Sequence, residues 1–121
     1  MWFTLISVKQ FDISRNLDIL IYMNRLIVLK ALSNKNRLQI LEWLKEPSKH
    51  FTSSHCDVST DGVCVGLIEQ KIGLSQSTVS QYLLQLQQAG LIIMERRGQW
   101  TYYKLNKPFI SEFMDQLKNT L

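Results

Sequence analysis

Gly73-Leu74-Ser75-Gln76-Ser77-Thr78-Val79-Ser80-Gln81-Tyr82-Leu83-Leu84-Gln85-Leu86 is the stretch on which the reading of the chain turns. A tight turn leads to Ser75, whose hydroxyl is of the kind that accepts a free backbone N–H at a helix start. Val79, Leu83 and Leu86 then recur at the spacing of one helical face. This predicts a helix with a buried apolar stripe and with Gln76, Ser77, Thr78, Ser80 and Gln81 turned outward over its first turns. Those side chains are uncharged, of short or medium reach, and carry both donors and acceptors, which is the chemistry that reads base edges in a major groove. A solvent-facing helix surface usually carries Lys and Glu, whereas Ser75 to Gln88 holds no charge at all. Such a face can lie among base edges without burying an unpaired ion. A polar helix entered from another helix through a short glycine turn is the plan of a helix-turn-helix, here residues 62–88.

Downstream, Ala89-Gly90 ends the helix. Leu91–Arg96 and Gln99–Asn106, rich in Ile, Trp, Thr and Tyr, then read as two strands joined by Arg97-Gly98, a wing over 91–106. Its tip places Arg96 and Arg97 beside a glycine and Gln99, a chemistry suited to gripping phosphate or entering a narrow minor groove. From Pro108, the residues Phe109, Phe113, Met114 and Leu117 recur on one side of a last helix, 108–121, and are read as packing. Upstream, Gly62–Ile72 is a short helix with Val63, Leu67 and Ile68 inward. Residues 47–61, polar and Ser/Thr-rich, are a loop of a length that is commonly functional or mobile. Ser33 is the expected N-cap of a helix Asn34–Glu46 with Leu38, Leu41 and Leu44 buried and Lys35 and Arg37 solvated. Ile13–Leu32 is apolar around more than one side, so its helix needs a second partner, which points to another copy of the chain. The two dimerisation helices are then 13–32 and 108–121.

With 121 residues, 45% of them hydrophobic and 20% charged, the chain reads as one small domain spanning 1–121. The net charge is +4, with an excess of +3 in residues 1–46 and of +3 in residues 62–107, where five basic face two acidic residues, so part of the basic excess coincides with the proposed reading unit. Two cysteines make no disulfide scaffold. The apolar opening Met1–Val8 lacks a basic flank and is not read as a signal peptide, and Asp18, Asn24, Arg25 and Lys30 interrupt the next apolar run. The expectation is a cytoplasmic protein with no membrane partner, whose translation starts at Met1 or Met23. No phosphate-cradling glycine loop, His-Glu-x-x-His or serine with a placed base supports an enzyme, and His50 and His55 read as solvated loop residues.

The element order, with Leu29–Asn34, Arg37–Leu41, Gly73–Leu83 and Leu86–Ile92, resembles the arsenic- and metal-sensing repressor family of winged-helix regulators, from about Ile27 to Leu105. The resemblance implies a mainly α fold with a small β-hairpin, a winged helix-turn-helix, and a homodimeric repressor on an inverted-repeat operator in double-stranded DNA. It also implies an inducer, with arsenite or another thiophilic ion as the candidate. Family members often carry His where this chain has Tyr82. Their Cys-Val-Cys sensor reads Cys64-Val65-Gly66 here, so half of it is missing. Residues 108–121 contain no His, and the family's zinc site on the last helix is not carried over. Cys64, near a helix start that favours a thiolate, and Cys56, on the long loop, remain as a two-thiol sensor, with His55 as a further ligand. The rival readings are a regulator without an effector and a winged-helix module that binds protein.

Overall fold

In the computed structural model, residues 24–121 are described, and the expected helix start at Ile13 lies outside them. Helix α1 is described over residues 24–32. It is followed by α2 (Lys35–Lys45), the one-turn helices α3 (Pro47–His50) and α4 (Val58–Asp61), β1 (Val63–Cys64) and α5 (Val65–Ile72). Then come α6 (Gln76–Gln88), the hairpin β2 (Ile92–Arg97) and β3 (Trp100–Leu105), and α7 (Lys107–Thr120). The fold is the expected winged helix-turn-helix, with three departures that follow from local chemistry.

First, α2 is capped by Asn34 rather than Ser33. The Asn34 carboxamide accepts the Asn36 and Arg37 N–H groups at 2.9 and 3.1 Å, while the Ser33 hydroxyl turns back to the Leu29 carbonyl at the end of α1. In α2, Ile40 and Leu44 take the core positions, and Leu38 is left 47% exposed. Second, the sheet has three strands in the order β1-β3-β2, all antiparallel. Val63 pairs with Tyr103 and Cys64 with Tyr102. A two-residue strand leaves no alternation to read, so the segment from Gly62 passed for helix. Gly62 enters it with φ +97° and so close to the Tyr103 carbonyl that a β-carbon would stand 3.0 Å from that oxygen. Third, the stretch 47–61 is not one continuous loop. Pro47 starts α3, and the Asp57 carboxylate caps α4 by accepting the Ser59 N–H.

The core lies where α6 crosses the sheet and α2. Ile40, Val63, Ile68, Val79, Leu83 and Leu86 are all at or within 1% of complete burial, and Val28, Leu91, Ile92 and Phe113 close it from α1, the wing base and α7. Leu67 is half-buried against this cluster, as are Phe109 and Leu117 of α7. Arg37 is not solvated as the sequence suggested. Its Nε and Nη2 donate to the carbonyls of Ala31 and Lys30 at 2.7 and 3.0 Å, and its Nη1 donates to Gln85 Oε1 at 2.6 Å. A cation on the last carbonyls of α1 meets the negative end of that helix and ties α1 and α2 to α6 in one step.

Replacing Arg37 with Ala removes charge-assisted bonds to the Ala31 and Lys30 carbonyls and to Gln85. The expected cost is about 2 kcal/mol of unfolding free energy, read as a lower urea midpoint at unchanged slope; a midpoint equal to the parent's would show the contacts to be idle.

Candidate nucleic-acid interface

Gly73 ends α5 in the left-handed conformation, φ +70°, and Ser75 opens α6 by accepting the Thr78 N–H at 3.3 Å. The Ser75 and Thr78 hydroxyls are 2.8 Å apart, so Thr78, half-buried, is partly occupied with the cap. Gln76, Ser77, Ser80 and Gln81 are exposed side by side along the first two turns. Burial of Val79, Leu83 and Leu86 leaves α6 a single rotation about its axis, and that rotation presents the amides and hydroxyls outward. Tyr82 is half-buried. Its hydroxyl accepts from Asn36 Nδ2 at 3.3 Å and the Arg37 guanidinium lies 5.7 Å from its ring centre, so this position packs and helps orient the helix. The tripod of Asn36, Arg37 and Gln85 was not found from the sequence. The one available signal was a cation a few residues beyond the end of α1.

The wing differs in detail from the expected hairpin. Arg97 belongs to β2, opposite Trp100, and the turn is Gly98-Gln99 with Gly98 at φ +62°. Arg96 and Arg97 therefore point to opposite faces of the ribbon. Arg96 shares the face of Ile92, which packs into the core beside α6, and it is exposed. Arg97 shares the other face with Glu95, Trp100 and Tyr102. There its Nη2 donates to the Asp61 carbonyl at 2.7 Å and its Nη1 to the Asp61 carboxylate at 3.3 Å; its Nε is 3.5 Å from Glu95, and the guanidinium sits 4.2 Å from the Tyr102 ring centre. Bonding to the Asp57 N–H, and then to Arg97, holds the Asp61 carboxyl below its ordinary range, while Asp61 raises the Arg97 guanidinium. A depressed carboxylate keeps the pair intact above the usual carboxylate range and loses it only as pH falls through the lower folded value. Gln99 is exposed at the turn.

Cys64, buried, is the cross-strand partner of Tyr102, and Cys56, half-buried, lies within hydrogen-bond distance of Ser53 at 3.4 Å. Burial pushes the Tyr102 hydroxyl up, with Cys56 and Cys64 adding to the shift. His55 is exposed, as expected, and stacks on Trp100 with ring centres 4.3 Å apart. Among the described residues no group of three or more His, Cys, Asp or Glu stands together as a metal site, and no helix is long and apolar enough to cross a membrane.

A family model described as bacterial regulatory protein, arsR family, matches residues 62–93, which cover β1, α5, α6 and the start of β2. Over 100 residues the chain is 50% identical to YbzH, an uncharacterized HTH-type transcriptional regulator of Bacillus subtilis, across 82% of this chain and 100% of that protein. The structure of HlyU from Vibrio cholerae N16961 matches with a TM-score of 0.56 at 26% identity, covering 82% of this chain and 92% of that one. HlyU is named a transcriptional activator. A solution structure of the homodimeric winged helix-turn-helix DNA-binding domain Mb0332 from Mycobacterium bovis matches in fold, with a TM-score of 0.61 at 24% identity over 92% and 86% of the two chains.

Proposed function

The chain belongs to the arsR family of bacterial regulatory proteins, DNA-binding regulators of transcription and not enzymes, and we propose that it acts as a homodimeric repressor on an inverted-repeat operator in double-stranded DNA, in the cytoplasm. The observation that carries this reading is the uncharged, exposed row Gln76, Ser77, Ser80 and Gln81 on a helix whose rotation is set by its buried stripe. In this reading the row, with Thr78 at its edge, contacts base edges. Arg96 and Gln99 hold the backbone alongside. Arg97 was assigned to the same grip from the sequence and is engaged elsewhere in the free protein.

A second copy is supported by the apolar surface that one chain leaves uncovered. An open groove of about 660 Å³ runs between α1, α2 and α7, lined by Leu32, Leu38, Leu41, Ile110, Phe113 and Met114. Met114 is 55% exposed, and Leu26, Ile27 and Leu29 continue the apolar surface along α1. Two-fold symmetry would set two α6 helices in successive major grooves about one DNA turn apart, which an imperfect palindrome matches. Repression then follows by occupancy of the promoter; the Vibrio cholerae relative is an activator by name, and the sign of the effect depends on where the operator lies.

The signal we propose is a thiol event at Cys56 and Cys64. A closed zinc site wants four good donors, and among the described residues no group of three or more His, Cys, Asp or Glu stands together, which leaves two sulfurs as the donor set. Two sulfurs suit disulfide formation, in which each thiol yields a proton and an electron pair passes to the oxidant. They also suit capture of As(III), in which two As–S bonds replace two As–OH bonds and two waters leave. Either event draws the loop onto the start of α5, directly behind α6.

Gln81→Ala should lose about 1–3 kcal/mol at an operator selected from a random DNA pool and relax preference at one base position; equal binding of operator and random duplex by parent and variant would overturn the helix assignment. Sedimentation at micromolar concentration should give a dimer, and a stable monomer that binds operator tightly would sink the symmetric reading. Diamide or arsenite should lower operator affinity in the parent, and neither should do so in Cys56→Ser or Cys64→Ser. An unresponsive parent would make the protein a regulator without a thiol signal.

A further inference from the structure

The wing tip stands out from its support. β1 pairs only with Tyr102 and Tyr103, so beyond that point Arg97, Gly98, Gln99 and Trp100 have no third strand beside them. Isolated two-stranded ribbons are marginal in water. Support at the tip comes instead from side chains reaching the segment just before β1. Arg97 grips both the carboxylate and the carbonyl of Asp61, and Trp100, its cross-strand partner, is covered by His55.

Asp61 is itself held firmly. Its N–H donates to the Asp57 carbonyl at 2.8 Å, its carboxylate accepts the Asp57 N–H at 2.9 Å, and Gly62, the next residue, lies against the Tyr103 backbone. The anchor is therefore fixed to β3 one residue before β1 begins. Arg97, meanwhile, points away from the face that carries Ile92 and Arg96.

We propose that Asp61 and Arg97 are a positioning pair: Asp61 fixes the wing through Arg97, and Arg96 alone of the two arginines neutralises phosphate. This rests on the DNA-binding reading for its effect on affinity, but not on the thiol signal. A count of charges makes the opposite forecast, since removing Asp61 deletes a negative charge near a polyanion and so tightens binding.

The test compares the parent with Asp61→Asn, Arg97→Gln, the double variant and Arg96→Gln on the pool-selected duplex across a salt series. Asn at position 61 retains an oxygen to accept the Asp57 N–H, and thermal melts confirm that each variant is folded. Arg96→Gln should make the slope of log K against log salt shallower by about one. Arg97→Gln should lose about threefold in affinity, the scale of an exposed ion pair, with the slope unchanged. Asp61→Asn should also lose affinity, by no more than Arg97→Gln, and the double variant should match Arg97→Gln alone. In the free proteins, amide hydrogen exchange over residues 96–101 should be faster in Asp61→Asn than in the parent. A shallower slope for Arg97→Gln, or tighter binding by Asp61→Asn, overturns the proposal and makes Arg97 a phosphate contact that Asp61 competes for. Unchanged exchange at the tip overturns it as well. Failure of the parent to bind any duplex would instead overturn the DNA-binding reading, and the exchange result would still decide whether the pair holds the wing.

Discussion

Everything outward-facing in this protein depends on the burial of one stripe of α6. Val79, Leu83 and Leu86 are excluded from water, Val79 and Leu86 completely. Burying three such side chains contributes several kcal/mol, about 1.5–3 each. No other rotation of α6 hides them, so the helix has no freedom to choose which residues it shows. The hydroxyls and amides are displayed because they are what remains. The same constraint explains why the exposed face can lack charge: the stripe and the Arg37 contacts hold α6 in place, so its surface needs no salt bridges of its own.

Arg37 then converts a packed helix into a positioned one. A stripe of aliphatic side chains fixes rotation but tolerates sliding along the axis. Directional bonds from Arg37 to Gln85 on one side and to the α1 carbonyls on the other set the height of α6 against α1 and α2. Asn36 on Tyr82 adds a second such contact one turn closer to the reading end. Helix α1 is thus bonded both to α6 and, through Arg25 and Thr120, to the end of α7. A shift of α1 or α7, as at the proposed dimer seam, would have a hydrogen-bonded route to α6.

The parts of this arrangement legible in the sequence were those with a period or a punctuating residue. The spacing of α6, the Ser75 cap, the Gly73 and Gly90 stops and the hairpin each have a local cause, and local causes show in the sequence. What escaped was set by partners distant in the chain. Cys64 is in a strand because Tyr102, 38 residues on, is there to pair with it. Leu38 is exposed because α2 turns Ile40 and Leu44 to the core instead. Arg97 left the turn because Gly98 alone supplies the left-handed residue that a two-residue loop between paired strands needs. Its ion pair then became possible only because β1 brings Asp61 alongside. Surface cations are usually solvated, and that expectation failed at Arg37 because the carbonyls at the end of α1 lie within its reach, which a count of charges does not register.

The underside of the wing gathers what the reading face excludes. His55 stacks on Trp100, Arg97 lies over the Tyr102 ring and Cys64 is the cross-strand partner of Tyr102, so the buried thiol and the tether of the wing share one aromatic floor. Cys64 is buried against this floor, which leaves Cys56, on the more accessible side, as the sulfur that a reagent reaches first. Any bond that draws Cys56 toward Cys64 must pull on the segment between them, and that segment contains Asp61. Under the proposed thiol signal the displacement would therefore not be confined to α5 and α6: it would bear as well on the grip of Asp61 on Arg97 at the wing.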